Sequence, residues 1–437
     1  MYNLSASDRQ YHIRHGSATL LPWPDDYFDA VLTDPPYYDN VPYGDLSDFF
    51  YVWVKRTVGE LYPDLFATPL TPKSEEMVAD ASKAGSKDAA KRRFEQMLTQ
   101  AFREIYRVLR PDGIAVIVFA HEATWAWETV INALLEAGLY MTASWPIRTQ
   151  KQWRPRVQLI SSIYIVCRKR PTDAPVEELL VVRREIEVRV RERLDQFWKA
   201  GIQGADFFIS AIGPAVEAFG RYARVEKLSG EPVTTAELLE YVRKVVSEFA
   251  LERILPSPQL GGVDAPTRFY LLYRWTYHNA RIRFDEARKL AQSIGVELND
   301  LSGRHGLVRI HKRKEREEQE EEEYMENKGK KGEVFVYLPG PAERGPELEK
   351  AKRFNTMVDA LHYALWLWSR NDLKRLSAHL EATYGSNEVF WQVAQAISDV
   401  LPEKDQEKMW LQGLLGGRRT YAPGPRQSRL WGEGGEP

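Results

Sequence analysis

The feature that most constrains the fold is an unbroken apolar run, Ile114-Ala115-Val116-Ile117-Val118-Phe119. A half-exposed strand alternates apolar and polar residues, so a run without alternation predicts a β-strand that is covered on both faces. A helical pattern precedes this run and stops around Pro111 and Gly113, and a shorter apolar strand, Ala30-Val31-Leu32, lies upstream. This alternation of strand and helix predicts a mostly parallel α/β sheet over residues 11–170.

The rest of that region continues the same order. The helix before Pro111 carries apolar residues at helical spacing, namely Phe94, Met97, Leu98, Ala101, Ile105 and Leu109. Another helix is predicted from Thr124 to Ala137, and final strands are predicted over 140–147 and 162–167. A polar insertion over 66–90 is predicted to be either a lid or an ordinary solvated loop.

After Pro171 the pattern changes to long helices. Two apolar stripes at helical spacing predict buried helix faces; they are Val182, Ile186, Val190, Leu194 and Phe197, and Ala360, Leu361, Ala364, Leu365 and Trp368. A chain of 437 residues exceeds one ordinary core. The predicted parts are an α/β core over 1–170, a helical domain over 171–310, a charged linker over 311–332, a helical region over 333–420 and a disordered tail over 421–437.

Composition excludes several classes of function. The net charge is −2, so any contact with nucleic acid must come from a local patch. Cys167 is the single cysteine, which excludes a disulfide framework and a cysteine-rich zinc site and favours a reducing cytoplasm. Eight scattered histidines give no metal-ligand spacing, so no metal is predicted. The sequence shows no secretory leader and no membrane-spanning run, and a cytoplasmic location is expected.

The segment Asp34-Pro35-Pro36-Tyr37 follows the short strand directly. Asp34 can accept a hydrogen bond from an exocyclic amine, and an X-Pro-Pro backbone lacks two N–H donors, so its carbonyls are available to accept another. Tyr37 offers a flat face for stacking on a base that has left its helix. These properties predict a site that holds one amino-bearing planar base. The alternative is a rigid proline turn with no binding role.

The twenty residues from Asp34 to Trp53, DPPYYDNVPYGDLSDFFYVW, are similar to a known group of enzymes. With them, residues 11–170 resemble the catalytic core of S-adenosylmethionine-dependent amino-methyltransferases that act on adenine in DNA. The match is closer to the C-terminal portion of the large adenine-specific DNA methylases whose N-terminal part is a domain of unknown function. The helical region is also similar at 211–215 and 268–275, so the resemblance spans roughly residues 11–415.

This resemblance implies a fold, a cofactor and a reaction. The fold is a Rossmann-like methyltransferase sheet, and the reaction is direct in-line transfer of a methyl group from S-adenosylmethionine to the flipped adenine. Asp34 and the Pro35 carbonyl hold the amine, Pro36 belongs to the same catalytic segment, Tyr37 stacks on the base, and positioning and charge placement supply the rate. Further candidates for contact with the base or the DNA backbone are Tyr38, Asn40 and Tyr43.

The sequence departs from the group in its cofactor site. Members carry a glycine-rich loop at a strand-to-helix turn, because only glycine lets the backbone approach the cofactor closely there. We find no such loop before or after Asp34. The stretch from His15 to Pro22 resembles the Gly-Asp-Ala contact to the cofactor adenine, with Ser17 in place of the acid. Ser17, Ala18 and Asp34 are therefore the candidate cofactor contacts.

Without the glycine-loop strand, the strand before Asp34 is predicted to have an open apolar edge. The predicted fold is therefore an incomplete α/β methyltransferase sheet followed by a mainly helical C-terminal region. Such a chain is either half of a split enzyme, completed by a separate polypeptide, or a truncated remnant. The alternatives are a non-catalytic nucleic-acid-binding subunit that keeps the base pocket, and the same chemistry on RNA or cytosine.

A loop between the last two predicted strands is basic and aromatic. It carries Arg148, Lys151, Trp153, Arg154 and Arg156. Cations and an aromatic ring in one loop predict contact with DNA phosphates, and the alternative is a solvated hairpin.

Overall fold

The structure is a computed structural model, and it describes residues 16–36, 41–119, 124–148, 161–255, 261–303, 306–312, 334–351 and 354–421. The chain forms two compact units. The first unit contains the described parts of 1–150, 161–182 and 216–235, and the second contains those of 183–215 and 236–437. Together they make a mixed α/β protein, as the sequence predicts at that level.

A four-stranded sheet organises the first unit. Its strands are β1 (Phe28–Thr33), β2 (Leu109–Phe119), β3 (Leu139–Arg148) and β4 (Ser161–Lys169), in the spatial order β1-β2-β4-β3. β1 and β2 are parallel, and β4 is antiparallel to both β2 and β3. β1, β2 and β3 therefore run in one direction, and β1 pairs with β2 alone among the described strands.

The helices of this unit are α1 (Tyr43–Val58), α2 (Ala81–Ala84), α3 (Lys87–Val108) and α4 (Thr124–Glu136). Ser86 caps α3, because its Oγ accepts a hydrogen bond from the Ala89 N–H at 3.1 Å. The predicted stripe of α3 is buried at Phe94, Leu98 and Ile105. The helix ends at Val108 rather than at Pro111, because β2 already begins at Leu109.

α3 and α4 pack on one face of the sheet. On that face Ala115, Ile117 and Phe119 of β2 are buried, while Ile114, Val116 and Val118 on the other face are half-buried. The prediction that this run is covered on both faces is thus correct for one face and wrong for the other in the described part of the chain. The reason is that helices cover only one face of the sheet, since no helix in the described ranges buries the second face.

The second unit is mainly helical. The helices of this unit, and those that connect it to the first unit, are listed here in chain order. They are α5 (Leu179–Lys199), α6 (Ala205–Gly220), α7 (Thr235–Ile254), α8 (Ala265–Tyr277), α9 (Phe284–Ser293), α10 (Leu298–Gly303), α11 (Pro341–Ala351), α12 (Met357–Ser369), α13 (Leu373–Ala382), α14 (Glu388–Val400), α15 (Gln406–Gly416) and α16 (Arg418–Tyr421). β5 (Val176–Glu178) and β6 (Arg224–Glu226) form a parallel pair. β7 (Ile282–Arg283), β8 (Arg309–Lys312) and β9 (Val334–Tyr337) form an antiparallel sheet in the order β7-β9-β8, which the sequence did not predict.

β8 and β9 flank the charged run and pair with each other, so both sides of that run belong to the second unit. Most of the predicted linker and tail lies outside the described residues. No helix within the described ranges is long and apolar enough to cross a membrane.

A buried network of charged side chains joins α8 to the start of α15. Arg274 donates to Asp405 Oδ2 and to Glu407 Oε2, both at 3.0 Å, and Tyr270 donates to Glu407 Oε2 at 2.6 Å. Arg274 and Glu407 are each 3 % exposed. Burial alone would raise the pKa of Glu407, but the Arg274 charge and the surrounding hydrogen bonds hold it at about 2. The carboxylate therefore stays ionised inside the protein.

The same network continues into α11 and α12. Arg344 contacts Asp359 and places Nη1 3.0 Å from His362 Nδ1. His362 is fully buried, and its Nε2 lies 3.4 Å from Glu407 Oε1. Burial lowers the pKa of His362, because the imidazolium form loses its hydration, and this outweighs the attraction of Glu407. His362 is thus neutral at pH 7.

Candidate functional site

Asp34, Pro35 and Pro36 follow the carboxyl end of β1 directly. Thr33, the last residue of β1, pairs with Ile117, so the segment leaves the sheet beside the last residues of β2. Asp34 is exposed, and both prolines are half-buried. The carboxylate that the sequence predicts to hold an amine therefore lies at a strand end and is accessible to solvent. Ligands of α/β proteins commonly bind at this edge of a sheet.

Several predicted site residues lie outside the described residues. They are Tyr37, Tyr38 and Asn40 of the base site and Lys151, Trp153, Arg154 and Arg156 of the basic loop. Their predicted roles stay predictions.

Arg148, the first residue of the basic group, is the last residue of β3. Because β1 and β3 run in the same direction, Arg148 ends at the same edge of the sheet as Asp34. The two strands are three positions apart in the sheet order, which corresponds to about 14 Å at the usual strand spacing. The sheet thus places the predicted base-holding carboxylate and the first predicted phosphate contact along one edge.

Tyr43 is the first residue of α1 and is 46 % exposed. Pro42 precedes it and gives no side-chain cap, but its carbonyl accepts a hydrogen bond from the Leu46 N–H at 3.1 Å. The ring of Tyr43 is accessible to solvent, and its predicted contact with nucleic acid stays a prediction.

One face of α1 is tied to the insertion that follows it. The Gly44 N–H donates to Glu76 at 2.7 Å, Tyr51 donates to the Thr68 carbonyl at 2.9 Å, and Lys73 donates to Asp48 at 2.7 Å. These hydrogen bonds hold the insertion against α1, and we call them the clamp. The insertion is therefore not an ordinary solvated loop over its whole length. Its last residues already belong to α3. The opposite side of α1 carries exposed apolar residues, namely Leu46, Phe49, Phe50, Trp53 and Val54.

Asp48 is the centre of this clamp. Its Oδ1 also accepts from the Thr71 N–H at 3.0 Å. The hydrogen bond from Lys73, helped by Thr71, holds the pKa of Asp48 at about 2. Asp48 lies within the stretch 34–53 that Sequence analysis singles out, and the structure gives it a positioning role toward the insertion.

We expect Asp48→Ala to loosen residues 60–80 and to speed their cleavage in limited proteolysis at pH 7, because three hydrogen bonds are lost. The contribution of Asp48 should persist above pH 4 and disappear as pH falls toward 2, since its folded pKa lies below the ordinary value of 3.8. Asp64→Ala changes an exposed carboxylate of the same segment and is the control. Equal cleavage of the two variants would contradict the clamp.

Ser17 and Ala18 lie in a tight turn. Ser17 Oγ lies 2.8 Å from Thr19 Oγ1 and accepts the Thr19 N–H at 3.3 Å. Ser17 is half-buried and Ala18 is exposed. The Ser17 hydroxyl therefore serves the turn, and the predicted contact of Ser17 and Ala18 with the cofactor stays a prediction.

α3 anchors the segment that follows this turn. Glu104 accepts the Leu21 N–H at 2.8 Å, and Arg107 donates to the carbonyls of Leu21 and Trp23 at 2.9 and 2.7 Å. The hydrogen bond from Arg107 holds the pKa of Glu104 below its usual range. These contacts were not predicted from the sequence, although Glu104 and Arg107 stand three residues apart on one face of α3, a spacing at which side chains interact.

Comparison with protein-family models, with curated proteins and with solved structures found no match to this chain.

Proposed function

We propose that this chain holds the target base for methyl transfer from S-adenosylmethionine to the exocyclic amine of adenine in DNA, as one part of a methyltransferase. The observation that carries the proposal is the place of Asp34-Pro35-Pro36, at the carboxyl end of a sheet strand with its carboxylate exposed. The sequence stretch from Asp34 to Trp53 supplies the likeness to adenine methyltransferases, and a half-sheet whose edge is β1 agrees with an incomplete fold of that kind.

The chemistry of Asp34 follows from its charge. A carboxylate that accepts a hydrogen bond from the amine orients the nitrogen lone pair and stabilises the positive charge that develops on nitrogen. The carbonyls of the Pro-Pro segment lack competing N–H donors and supply a second acceptor. No covalent intermediate with the protein is required, because orientation accounts for a large part of such a rate.

The described residues do not by themselves fit the cofactor. The glycine-rich turn is not in the sequence, and Ser17 uses its hydroxyl within its own turn. We therefore assign no cofactor-binding step to these residues, and the proposed activity depends on groups outside the 437 residues.

The isolated chain should bind S-adenosylmethionine weakly or not at all, because close approach of backbone N–H groups at a glycine turn is lacking. Isothermal titration calorimetry on the purified chain measures this directly. Tight one-to-one binding would exclude the split-enzyme form of the proposal.

A second candidate function is a non-catalytic nucleic-acid-binding subunit. The lack of a glycine-rich turn in the sequence favours it, since base holding needs only Asp34, the prolines and a stacking ring. The two functions differ in one assay, methyl incorporation into adenine after the chain is combined with a polypeptide that carries the glycine-rich loop. Incorporation supports the enzyme, and DNA binding without incorporation supports the binding subunit.

Tyr37→Ala should weaken binding to DNA that contains the target adenine by about 1–3 kcal/mol, because one base loses its stacking partner. Tyr37→Phe keeps the ring and should bind almost as well as wild type. The measurement is fluorescence anisotropy with a labelled duplex. Equal losses for Ala and Phe would remove the stacking role.

Replacing Arg148, Lys151, Arg154 and Arg156 together with Ala should weaken DNA binding and flatten its dependence on salt. Each lost phosphate contact lowers the slope of log K against log salt by about one. Anisotropy titrations at several salt concentrations give this slope. A slope identical to wild type would place the loop in solvent.

A further inference from the structure

Helix α1 exposes large apolar side chains along one side. Phe49 is 66 % exposed, Phe50 68 % and Trp53 55 %, and Leu46 and Val54 are exposed as well. The five residues recur at helical spacing, so they form one continuous stripe along the helix. We call them the α1 stripe. An exposed apolar surface of this kind usually marks an interaction site.

The clamp holds the stripe in place from behind. Its hydrogen bonds join Gly44, Asp48 and Tyr51, on the other side of α1, to the insertion. Phe49 and Phe50 contact each other edge to face, with their ring centroids 5.3 Å apart. A surface that is already ordered loses less conformational entropy when it binds. The stripe is therefore suited to a folded protein partner.

Charges of opposite sign lie beside the two ends of the stripe. Asp45 is in the first turn of α1 and Arg56 is in the last turn. They are separated by about three helical turns, so both lie along the same flank of the stripe. Asp45 is exposed, with Lys73 and Lys83 at 3.8 and 3.7 Å. Arg56 lies over the Trp53 ring, 5.4 Å from its centroid, and no ion pair joins it to a carboxylate in the described part of the chain.

This arrangement of charges is complementary to a second copy of itself. When two copies pack antiparallel about a two-fold axis, residues on the same flank face each other, and the first turn of one helix meets the last turn of the other. Asp45 of each copy then lies beside Arg56 of the other copy, which forms two equivalent ion pairs. The axis passes near Phe50, midway between the two charges.

The size of the stripe fits a weak dimer. An aromatic side chain buries roughly 150–250 Å². At the observed exposures, the stripes of two copies would together bury about 1,200 Å², which is at the lower end of stable protein interfaces. An interface of that size corresponds to a dissociation constant of roughly 1–10 μM.

Nucleic acid and a lipid surface fit the stripe less well than a second copy does. Both are bound by an excess of cations beside the contact surface. The stripe instead has one carboxylate, Asp45, and one guanidinium, Arg56, along its flank. A balanced pair of charges favours the self-complementary contact.

We propose that two copies of this chain form a dimer by antiparallel packing of their α1 stripes, with an ion pair between Asp45 and Arg56 at each end. The inference goes beyond the proposed function and does not depend on it, because it uses the apolar side and the end charges of α1 and no residue of the segment that holds the base.

The test measures the mass of the purified full chain by sedimentation velocity from about 1 to about 100 μM. Phe50→Glu places a charge near the axis. Leu228→Glu is the matched control, since Leu228 is 80 % exposed and lies outside α1. Asp45→Arg and Arg56→Asp each put like charges at both ends of the dimer. Circular dichroism melts verify that every variant is folded.

Wild type and Leu228→Glu should form dimers with equal affinity. Phe50→Glu should dimerise about a hundredfold more weakly or worse, because two unpaired charges would be buried at the axis. Asp45→Arg alone and Arg56→Asp alone should each dimerise about tenfold more weakly, because like charges meet at both ends.

An equimolar mixture of Asp45→Arg and Arg56→Asp should recover dimers of near wild-type affinity. In the mixed dimer both ends again pair an acid with a base. A variant that is merely misfolded cannot be rescued by another variant, so the mixture keeps the proposal testable even if Phe50→Glu fails to fold.

Four outcomes would overturn the proposal. They are a wild-type chain that is monomeric at about 100 μM, a dimer that Phe50→Glu leaves intact, a mixture that dimerises no better than either charge variant alone, and a monomer whose binding to DNA or to anionic vesicles falls in Phe50→Glu. The last outcome would assign the stripe to nucleic acid or to lipid.

Discussion

Replacing Asp34 with Ala is expected to lower the rate of adenine methylation by the completed enzyme about a hundredfold to a thousandfold, with little change in affinity for DNA. In the proposed function, Asp34 acts on charge that grows only while the methyl group is transferred, so its removal should affect turnover more than binding. Asp34→Asn keeps an acceptor oxygen and loses the charge, and it should retain more activity than Asp34→Ala. The assay is incorporation of labelled methyl groups at saturating DNA.

Asp29→Ala is the matched control for this experiment. Asp29 lies near the amino end of β1, the strand that precedes Asp34, and is paired with Arg110 on the surface, its side chain 82 % exposed. It should leave turnover unchanged. If Asp34→Ala methylates at the wild-type rate, the segment after β1 is a proline turn without a catalytic role.

Glu407→Ala should lower the free energy of unfolding of the second unit by about 3–5 kcal/mol. The substitution leaves the Arg274 guanidinium buried with only one of its two carboxylate partners, Asp405, and leaves the Tyr270 hydroxyl without its acceptor. An uncompensated charge inside a protein is costly because it has lost its hydration. Urea denaturation followed by far-UV circular dichroism measures the change.

Glu388→Ala provides the comparison for Glu407→Ala. Glu388 pairs with Arg418 at the surface of the same unit, and its side chain is 64 % exposed. Surface pairs of this kind contribute about 0–1 kcal/mol. Similar losses for the two variants would mean that the buried network adds nothing beyond an ordinary ion pair.

The same network predicts a dependence of stability on pH. His362 has a lowered pKa when folded, so the unfolded chain binds its proton more readily. Stability should therefore decline as pH falls below about 6.5, the ordinary value for histidine. Replacing His362 with Gln should flatten the unfolding midpoint between pH 8 and pH 5. A midpoint that changes equally in both proteins would assign the effect to other groups.

Local sequence patterns predicted correctly the helices whose apolar residues become buried. Val182, Ile186, Val190 and Leu194 are all at most 1 % exposed, as their spacing indicates, and only Phe197 at the end of the stripe is half-buried. Among the described strands, β1 lies at an edge of its sheet, where an open edge is expected from the sequence. Periodicity identifies which side of a helix is apolar, and for α5 the chain itself covers that side.

The sequence was less informative about partners in space. Arg274 lies 131 residues before Asp405 and 133 residues before Glu407 in the chain. No local spacing therefore marks the three residues as one buried network. On α1, Phe50 and Trp53 form an apolar side that remains exposed, because the insertion binds the polar side instead. A pattern reveals the chemistry of a surface, whereas its contacts depend on tertiary structure.

The position of Cys167 gives the first unit a built-in reporter. It is the only cysteine in 437 residues, it is 0 % exposed in β4, and burial raises the pKa of its thiol. A thiol reagent can therefore react only after the sheet opens, and the second unit contributes no background. The labelling rate under native conditions would give the opening free energy of this unit separately, without any engineered probe.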